Sequence, residues 1–256
     1  MIDKHAIIDP TAKIAANVHI GPFSIIGPNV EIEEGTWIGP HVVIQGPTSI
    51  GRDNKIYQFA SIGEATQDKK YKGEPTRLEI GDRNIFRECC TIHRGTVQGG
   101  GVTRIGHDNL FMNYTHVAHD CVLGNHITFS NNASLAGHVK VDDFASLGGF
   151  VGVHQFCTIG AHSFAAGGAI VVRDVPPFIL VSGYPAEPHG LNTVGLERRG
   201  FGATTIAALR RAYKIIFRQS LTIQEAISEL KNMVAETPEV DLLIDFLSNS
   251  SRGIVR

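Results

Sequence analysis

His119 is followed directly by Asp120, and His116 stands three residues before it. An imidazole beside a carboxylate suits proton transfer, because the carboxylate orients the ring and stabilises its cationic form. Histidine's unperturbed pKa of about 6.5 also fits a general base at neutral pH. Gly137 and Gln155 follow His119 at successive steps of 18 residues, with His138 and His154 one position to either side of that series. If residues 18 apart are spatial neighbours, three histidines, a glutamine and a glycine gather on one edge, with His116 close by. Two other chemistries can use the same residues. Three histidines can ligate zinc in an open site. Cys121, two residues beyond His119, is a candidate nucleophile, since i and i+2 point the same way along a strand. His5, His19, His41, His107 and His189 read as solvated turn residues.

The 18-residue spacing has a source in the rest of the chain. Isoleucine recurs at every sixth position from Ile8 through Ile14, Ile20, Ile26, Ile32, Ile38, Ile44, Ile50 and Ile56 to Ile62. The phase returns at Ile80, Phe86 and Ile92. After a slip of one residue it runs again from Ile105 through Phe111, Val117, Leu123, Phe129, Leu135, Val141, Leu147, Val153, Ile159 and Ala165 to Val171. Every one of these positions is apolar in a chain that is 43% hydrophobic. A period of six is neither helical nor a simple strand alternation. It fits a short strand followed by a tight turn, repeated so that stacked copies share one core. Glycine often follows the apolar position, as at Gly21, Gly39 and Gly124, and is expected to supply backbone freedom at the corners. Three such sides make a coil of 18 residues. The spacing itself gives a hexapeptide solenoid without fixing its hand.

Two polar stretches interrupt the repeat, at 64–79 and 93–104, and both read as excursion loops. Loops on a rigid scaffold often carry function. The rhythm stops after Pro176-Pro177. Residues 203–220 then read as a helix, Thr222-Ile-Gln-Glu225 as a capping box opening a second, and Thr237-Pro238 as the start of a third. The expected organisation is a solenoid over 1–185 and a helical domain over 190–256.

Composition narrows the function classes. The formal net charge of −2 gives no reason to expect nucleic acid or an anionic membrane as partner. No apolar run is long enough to span a bilayer, and the N-terminus lacks a signal-peptide pattern. Cys89, Cys90, Cys121 and Cys157 have no zinc or redox spacing. The expectation is a cytoplasmic protein with reduced cysteines.

Longer words sharpen the reading. Ile56-Tyr-Gln-Phe-Ala-Ser-Ile-Gly63, Gly73-Glu-Pro-Thr76, the run from Thr91 to Gly100, His116-Val-Ala-His-Asp-Cys121, the run from Asn131 to Val139, Val153-His-Gln-Phe-Cys157, Asp174-Val-Pro-Pro177 and Arg198-Arg-Gly-Phe201 resemble those of the UDP-N-acetylglucosamine O-acyltransferase family of lipid A synthesis. The likeness runs through the whole chain. It implies a left-handed parallel β-helix of triangular section with a C-terminal helical domain. It also implies transfer of an (R)-3-hydroxyacyl group from acyl carrier protein to the 3-hydroxyl of UDP-N-acetylglucosamine. No metal and no cofactor are implied beyond the phosphopantetheine that the carrier protein brings. A homotrimer with sites between subunits follows from the same resemblance. On that basis His119 matches the general base, Asp120 its partner and Gly137 the oxyanion donor. His116, His138, His154 and Gln155 match substrate-contacting positions, Asp68 and Lys70 contact the sugar nucleotide, and Asn192, Arg198 and Arg199 lie on its uridine-diphosphate side. Gly167 matches the position that limits acyl length, and glycine there implies a longer chain. Val194 stands where the family carries an acidic residue. Arg210, Arg211, Lys214 and Arg218 offer a basic surface for an acidic carrier protein. Related alternatives are the N-acyltransferase of the same pathway, a γ-type carbonic anhydrase and a purely structural solenoid.

Overall fold

The computed structural model describes residues 1–256. The chain winds as a left-handed parallel β-helix whose three faces are three parallel sheets. Sheet 1 begins with Ile7–Ile8, sheet 2 with Lys13–Ile14 and sheet 3 with His19–Ile20, and successive strands of the chain visit them in turn. Register makes the coil explicit: Ile8 lies beside Ile26, Ile14 beside Ile32 and Ile20 beside Ile38. Most strands are two residues long, and the second of each pair points inward. Of the six-residue series, all but Ile8 and Ile14 at the open N-terminal end are buried. β-Branched side chains suit such a pleated stack, and each inward isoleucine contributes about 1.5–3 kcal/mol on burial before chain entropy is counted.

The two excursions explain the phase of the repeat. Ile62 pairs with Ile92 and Ile50 with Ile80, offsets of 30 residues. That is one coil plus two hexapeptides, so the phase survives the insertion. Ile92 pairs with Val117 and Ile80 with Ile105, offsets of 25, which is one coil plus a hexapeptide plus one residue. Hence the slip. Both loops are shorter than the polar stretches that announced them. Glu64 ends the strand Ser61–Glu64 and Arg77–Glu79 belong to the strand Arg77–Ile80, while His93 ends Thr91–His93 and the strand Val102–Ile105 opens before the second stretch closes. Outward-facing strand positions are free to be polar, so polarity alone overstates a loop.

The corners correct the expected role of glycine. Of the glycines that follow an inward apolar residue, only Gly63 has positive φ. The left-handed conformation falls instead on residues such as Phe23, His41, Phe59, Asp120, His138, Phe144 and Phe156. The glycines serve close approach: a Cβ at Gly21 would stand 2.7 Å from the backbone of Gly39 and Pro40 on the next coil. The corner residues stack in columns. His126, Phe144 and His162 succeed one another with centroid separations of 4.7 Å between sheets 2 and 3.

After Pro177 the strand Ile179–Ser182 still joins sheet 3 in parallel beside Phe164–Ala165, and Glu187–Leu191 then closes that edge in antiparallel pairing. The junction expected at 185–190 therefore lies in a hairpin that protects the sheet edge. Four helices follow: α1 (Thr193–Arg198), α2 (Ala203–Arg218), α3 (Ile223–Lys231) and α4 (Val240–Asn249). The Thr222–Glu225 capping box is formed in both directions. Pro238 sits in the turn before α4, whose N-cap is Glu239. Apolar faces of the helices share a small core with Phe178, while Tyr213 and Val255 join the solenoid core.

Candidate active site

The corner between sheets 1 and 2 carries the histidine cluster. Asp120 sits there with φ +60° and its N–H donates to Thr103 Oγ1 at 2.8 Å. Aspartate tolerates this left-handed conformation better than most residues. Its carboxylate is buried and turned inward, where Oδ2 meets His119 Nδ1 at 2.8 Å. Asp120 Oδ1 accepts from the Thr96 N–H at 2.7 Å and Oδ2 from Thr96 Oγ1 at 2.6 Å. With Nδ1 on the carboxylate, His119 presents Nε2 as the free proton acceptor.

One coil on, Gly137 lies under the His119 ring. A Cβ at Gly137 would come within 2.6 Å of Nε2. The N–H groups of Ala136 and His138 donate to Val153 and His119 carbonyls, but that of Gly137 donates to no carbonyl of the chain. His138 stands edge-on to His119 with centroids 5.0 Å apart and stacks on Phe156 at 4.5 Å. His116 Nδ1 bonds Thr91 Oγ1 at 2.8 Å.

His116, His119, Gly137, His138 and Phe156 line a groove of about 1070 Å³, together with His154, Gln155, Asp68 and Lys70, the last two brought over it by the first excursion. Burial pushes His116 down to about 4, with the neighbouring His93 adding to the effect. Burial also lowers His93 and His138, the latter against an opposing pull from Asp120. His93, His116 and His138 are thus biased towards their neutral forms.

The remaining sequence-derived positions lie elsewhere on the single chain. Gly167 occupies the corner between sheets 3 and 1, where an added Cβ would make only ordinary contact with Gly149 O at 3.4 Å. Asn192 caps α1, accepting from Gly195 N and donating to His162 O at 2.9 Å. Arg199 donates from Nη2 to Phe144 O at 2.7 Å and covers the Phe144 ring, and its burial lowers its pKa. Arg198 ends α1 in an exposed position, and Val194 is exposed beside them. None of these five lines the groove of its own chain.

Sequence reasoning missed His93, Thr96, Gln67 and Gln98, all of which line the groove. His93 follows Ile92, the partner of Val117, and so reaches the level of Ala118. The signal was present, but it crosses the second excursion, where steps of 18 fail. The same geometry bears on the alternatives. Cys121 is fully buried, its Sγ donates to Ala136 O at 3.3 Å, and burial pushes its thiol up to about 12. A thiol so placed is a poor nucleophile. His119, Asp120 and His138 offer donor atoms within 4.8 Å of one another. Both Asp120 oxygens already accept protein hydrogen bonds, which a metal would have to displace. A second cleft of about 780 Å³ between sheet 2 and α4 shares His138 and Phe156 but not His119.

Fold and sequence together define a hexapeptide-repeat transferase: residues 29–64 match the bacterial transferase hexapeptide model. Residues 174–255 match the model of UDP-N-acetylglucosamine O-acyltransferase domain 2. The chain is 56% identical over 255 residues to the acyl-[acyl-carrier-protein]–UDP-N-acetylglucosamine O-acyltransferase of Pseudomonas entomophila, covering 100% of this chain and 99% of that one. It is 56% identical over 251 residues to the enzyme of the same name from Thiobacillus denitrificans, covering 98% and 97%. Among solved structures, LpxA from Acinetobacter baumannii superposes with a TM-score of 0.98 at 50% identity over 100% of this chain and 99% of that chain. The UDP-N-acetylglucosamine O-acyltransferase of Moraxella catarrhalis does so with 0.97 at 49%, again over 100% and 99%. The chain belongs to the acyl-[acyl-carrier-protein]–UDP-N-acetylglucosamine O-acyltransferase family, and it is an acyltransferase.

Proposed function

We propose that this chain transfers an (R)-3-hydroxyacyl group from acyl carrier protein to the 3-hydroxyl of UDP-N-acetylglucosamine, as the first step of lipid A synthesis, by direct attack without an acyl-enzyme. The observation that carries the mechanism is the contact of His119, held through Nδ1 by Asp120, with a glycine whose N–H is unspent. His119 Nε2 removes the 3-hydroxyl proton as that oxygen bonds to the thioester carbon. The carbonyl electron pair moves onto oxygen, and the Gly137 N–H donates to it. An oxyanion donor of this kind is worth about 2.7–4 kcal/mol. When the carbon–sulfur bond breaks, the electron pair leaves with sulfur, and the proton on His119 passes to the thiolate. Proton and charge balance within these steps, so they need no metal and no cofactor beyond the phosphopantetheine that the carrier protein brings. Asp68, Lys70, His116, His138, His154 and Gln155 surround the acceptor.

The same proposal includes a cytoplasmic homotrimer. Sheet 2 carries outward Lys13, Glu31, Glu79, Arg104 and Lys140, partly joined in ion pairs. Sheet 1 and the corner before it expose Ile7, Ile25, Phe23, Phe59, Tyr114 and Phe150 instead. Exposed apolar side chains grouped in this way support burial against a neighbouring copy. A neighbouring copy placed there supplies what the groove of one chain lacks: Asn192, Arg198 and Arg199 for the diphosphate and uridine, and Gly167 for the far end of the acyl chain. Arg210, Arg211, Lys214 and Arg218 lie exposed on α2 and steer the acidic carrier protein, an attraction that weakens with salt.

The test offers the purified protein a series of 3-hydroxyacyl carrier-protein donors with UDP-N-acetylglucosamine or its 3-amino analogue. Formation of the 3-O-acyl sugar nucleotide, best with a long donor and unaffected by chelator, is expected. Acylation of the amino sugar alone, or loss of turnover on chelation, would contradict the proposal.

A further inference from the structure

We infer that Thr96 is a positioning residue for the His119–Asp120 pair, and that the second excursion exists to hold that pair rather than to decorate the surface. The inference rests on the assignment of His119 as general base. Thr96 is 1% exposed and grips the carboxylate twice, from its N–H at 2.7 Å and its Oγ1 at 2.6 Å. The hydroxyl shares Asp120 Oδ2 with His119 Nδ1, so the two donors fix the plane of the carboxylate and, through it, the plane of the ring. The loop is shaped around this contact. Thr96 caps the short 3-10 turn Val97–Gly99 and its Oγ1 accepts from the Gly99 N–H at 3.2 Å. Gly99 has no positive φ to explain it. Its need is steric, because a Cβ there would overlap the Asp120 carboxylate. The strand that leaves the loop contributes Thr103, whose hydroxyl accepts the Asp120 N–H. Side chain and backbone of Asp120 are therefore both set by the inserted segment.

A hydroxyl that donates to a carboxylate also draws charge from it. Without that donor Asp120 holds an imidazolium more tightly, and its plane is free to turn. The test measures kcat, KM and the pH profile of kcat/KM for Thr96→Val and Thr96→Ser, with thermal melting as a check on folding. The valine variant keeps the size and the N–H. It is expected to lower kcat by about 10- to 100-fold, the range for a hydrogen bond to a charged group, with KM for the sugar nucleotide within about twofold. The acid limb of its profile moves to higher pH, and serine restores both. Wild-type kcat and profile in Thr96→Val would overturn the inference, as would equal losses in both variants that track a lowered melting temperature. Should the valine variant fail to fold, Gly99→Ala crowds the same carboxylate and is expected to lower kcat with unchanged KM; wild-type turnover there would overturn the inference. His119→Ala run alongside separates the two levels. An active His119→Ala removes the base assignment and this inference with it, whereas an inactive one beside an unaltered Thr96→Val removes the inference alone.

Discussion

Gly137 is the position where steric and chemical requirements meet. Its backbone needs no left-handed φ, yet an added Cβ would stand only 2.6 Å from His119 Nε2, so the ring would have to move. Gly137→Ala is therefore expected to cost at least about 100-fold in kcat while the protein stays folded, measured by turnover and by melting of the same sample. Cys121 gives the opposite expectation. Its thiol is buried and pushed up to about 12, so Cys121→Ala should keep activity within about threefold at a cost of about 1 kcal/mol in stability for the vacated volume. An acyl-enzyme mechanism would instead show loss of turnover in that variant. At this scale the sequence was legible wherever the phase was unbroken: His119, Gly137 and Gln155 stand on adjacent coils because nothing is inserted between 105 and 171. Thr96 and His93 escaped because they reach the same corner from across an insertion.

The hexapeptide strand is the next unit. Two residues suffice for each because the inward one packs above and below its counterparts, not against its own chain. Ile56 is fully buried between Ile38 and Phe86. Ile56→Ala is expected to lower stability by about 2–5 kcal/mol in chemical denaturation, with little effect on KM, since the side chain is fully buried in the solenoid core and does not line the groove. Periodicity made this fold readable almost residue by residue. What it hid was how the corners turn. The glycines advertise freedom of the backbone, but contact with the next coil is what requires most of them, and Phe, His, Asp and Asn take the left-handed conformation. A stacked aromatic column repays that strain, and no single hexapeptide shows it. The hairpin at Glu187–Leu191 was equally hidden, because it pairs antiparallel and carries Pro188 and Gly190 inside the strand.

Across the folded chain, burial of neutral histidines sets the response to acid. His116 and His162 are both pushed down to about 4 by burial. The unfolded chain takes up protons on these groups near pH 6.5 while the native chain does not, so native stability is full above that pH and is lost as pH falls from about 6.5 towards 4. For His116 the loss is on the order of 3 kcal/mol. Denaturation midpoints measured between pH 8 and 4.5 should decline over this window, and His162→Phe should flatten the decline. The groove itself joins one corner of the solenoid to a loop from the first excursion, and its catalytic reading depends on a single proton acceptor. That dependence is tested most directly by the turnover of His119→Ala with a 3-hydroxyacyl carrier protein and UDP-N-acetylglucosamine, at saturating concentrations and with the fold verified. A fall in kcat of at least about 100-fold, the scale of lost general-base catalysis, is expected, with the sugar nucleotide still bound. Turnover equal to that of the unaltered protein would contradict the mechanism.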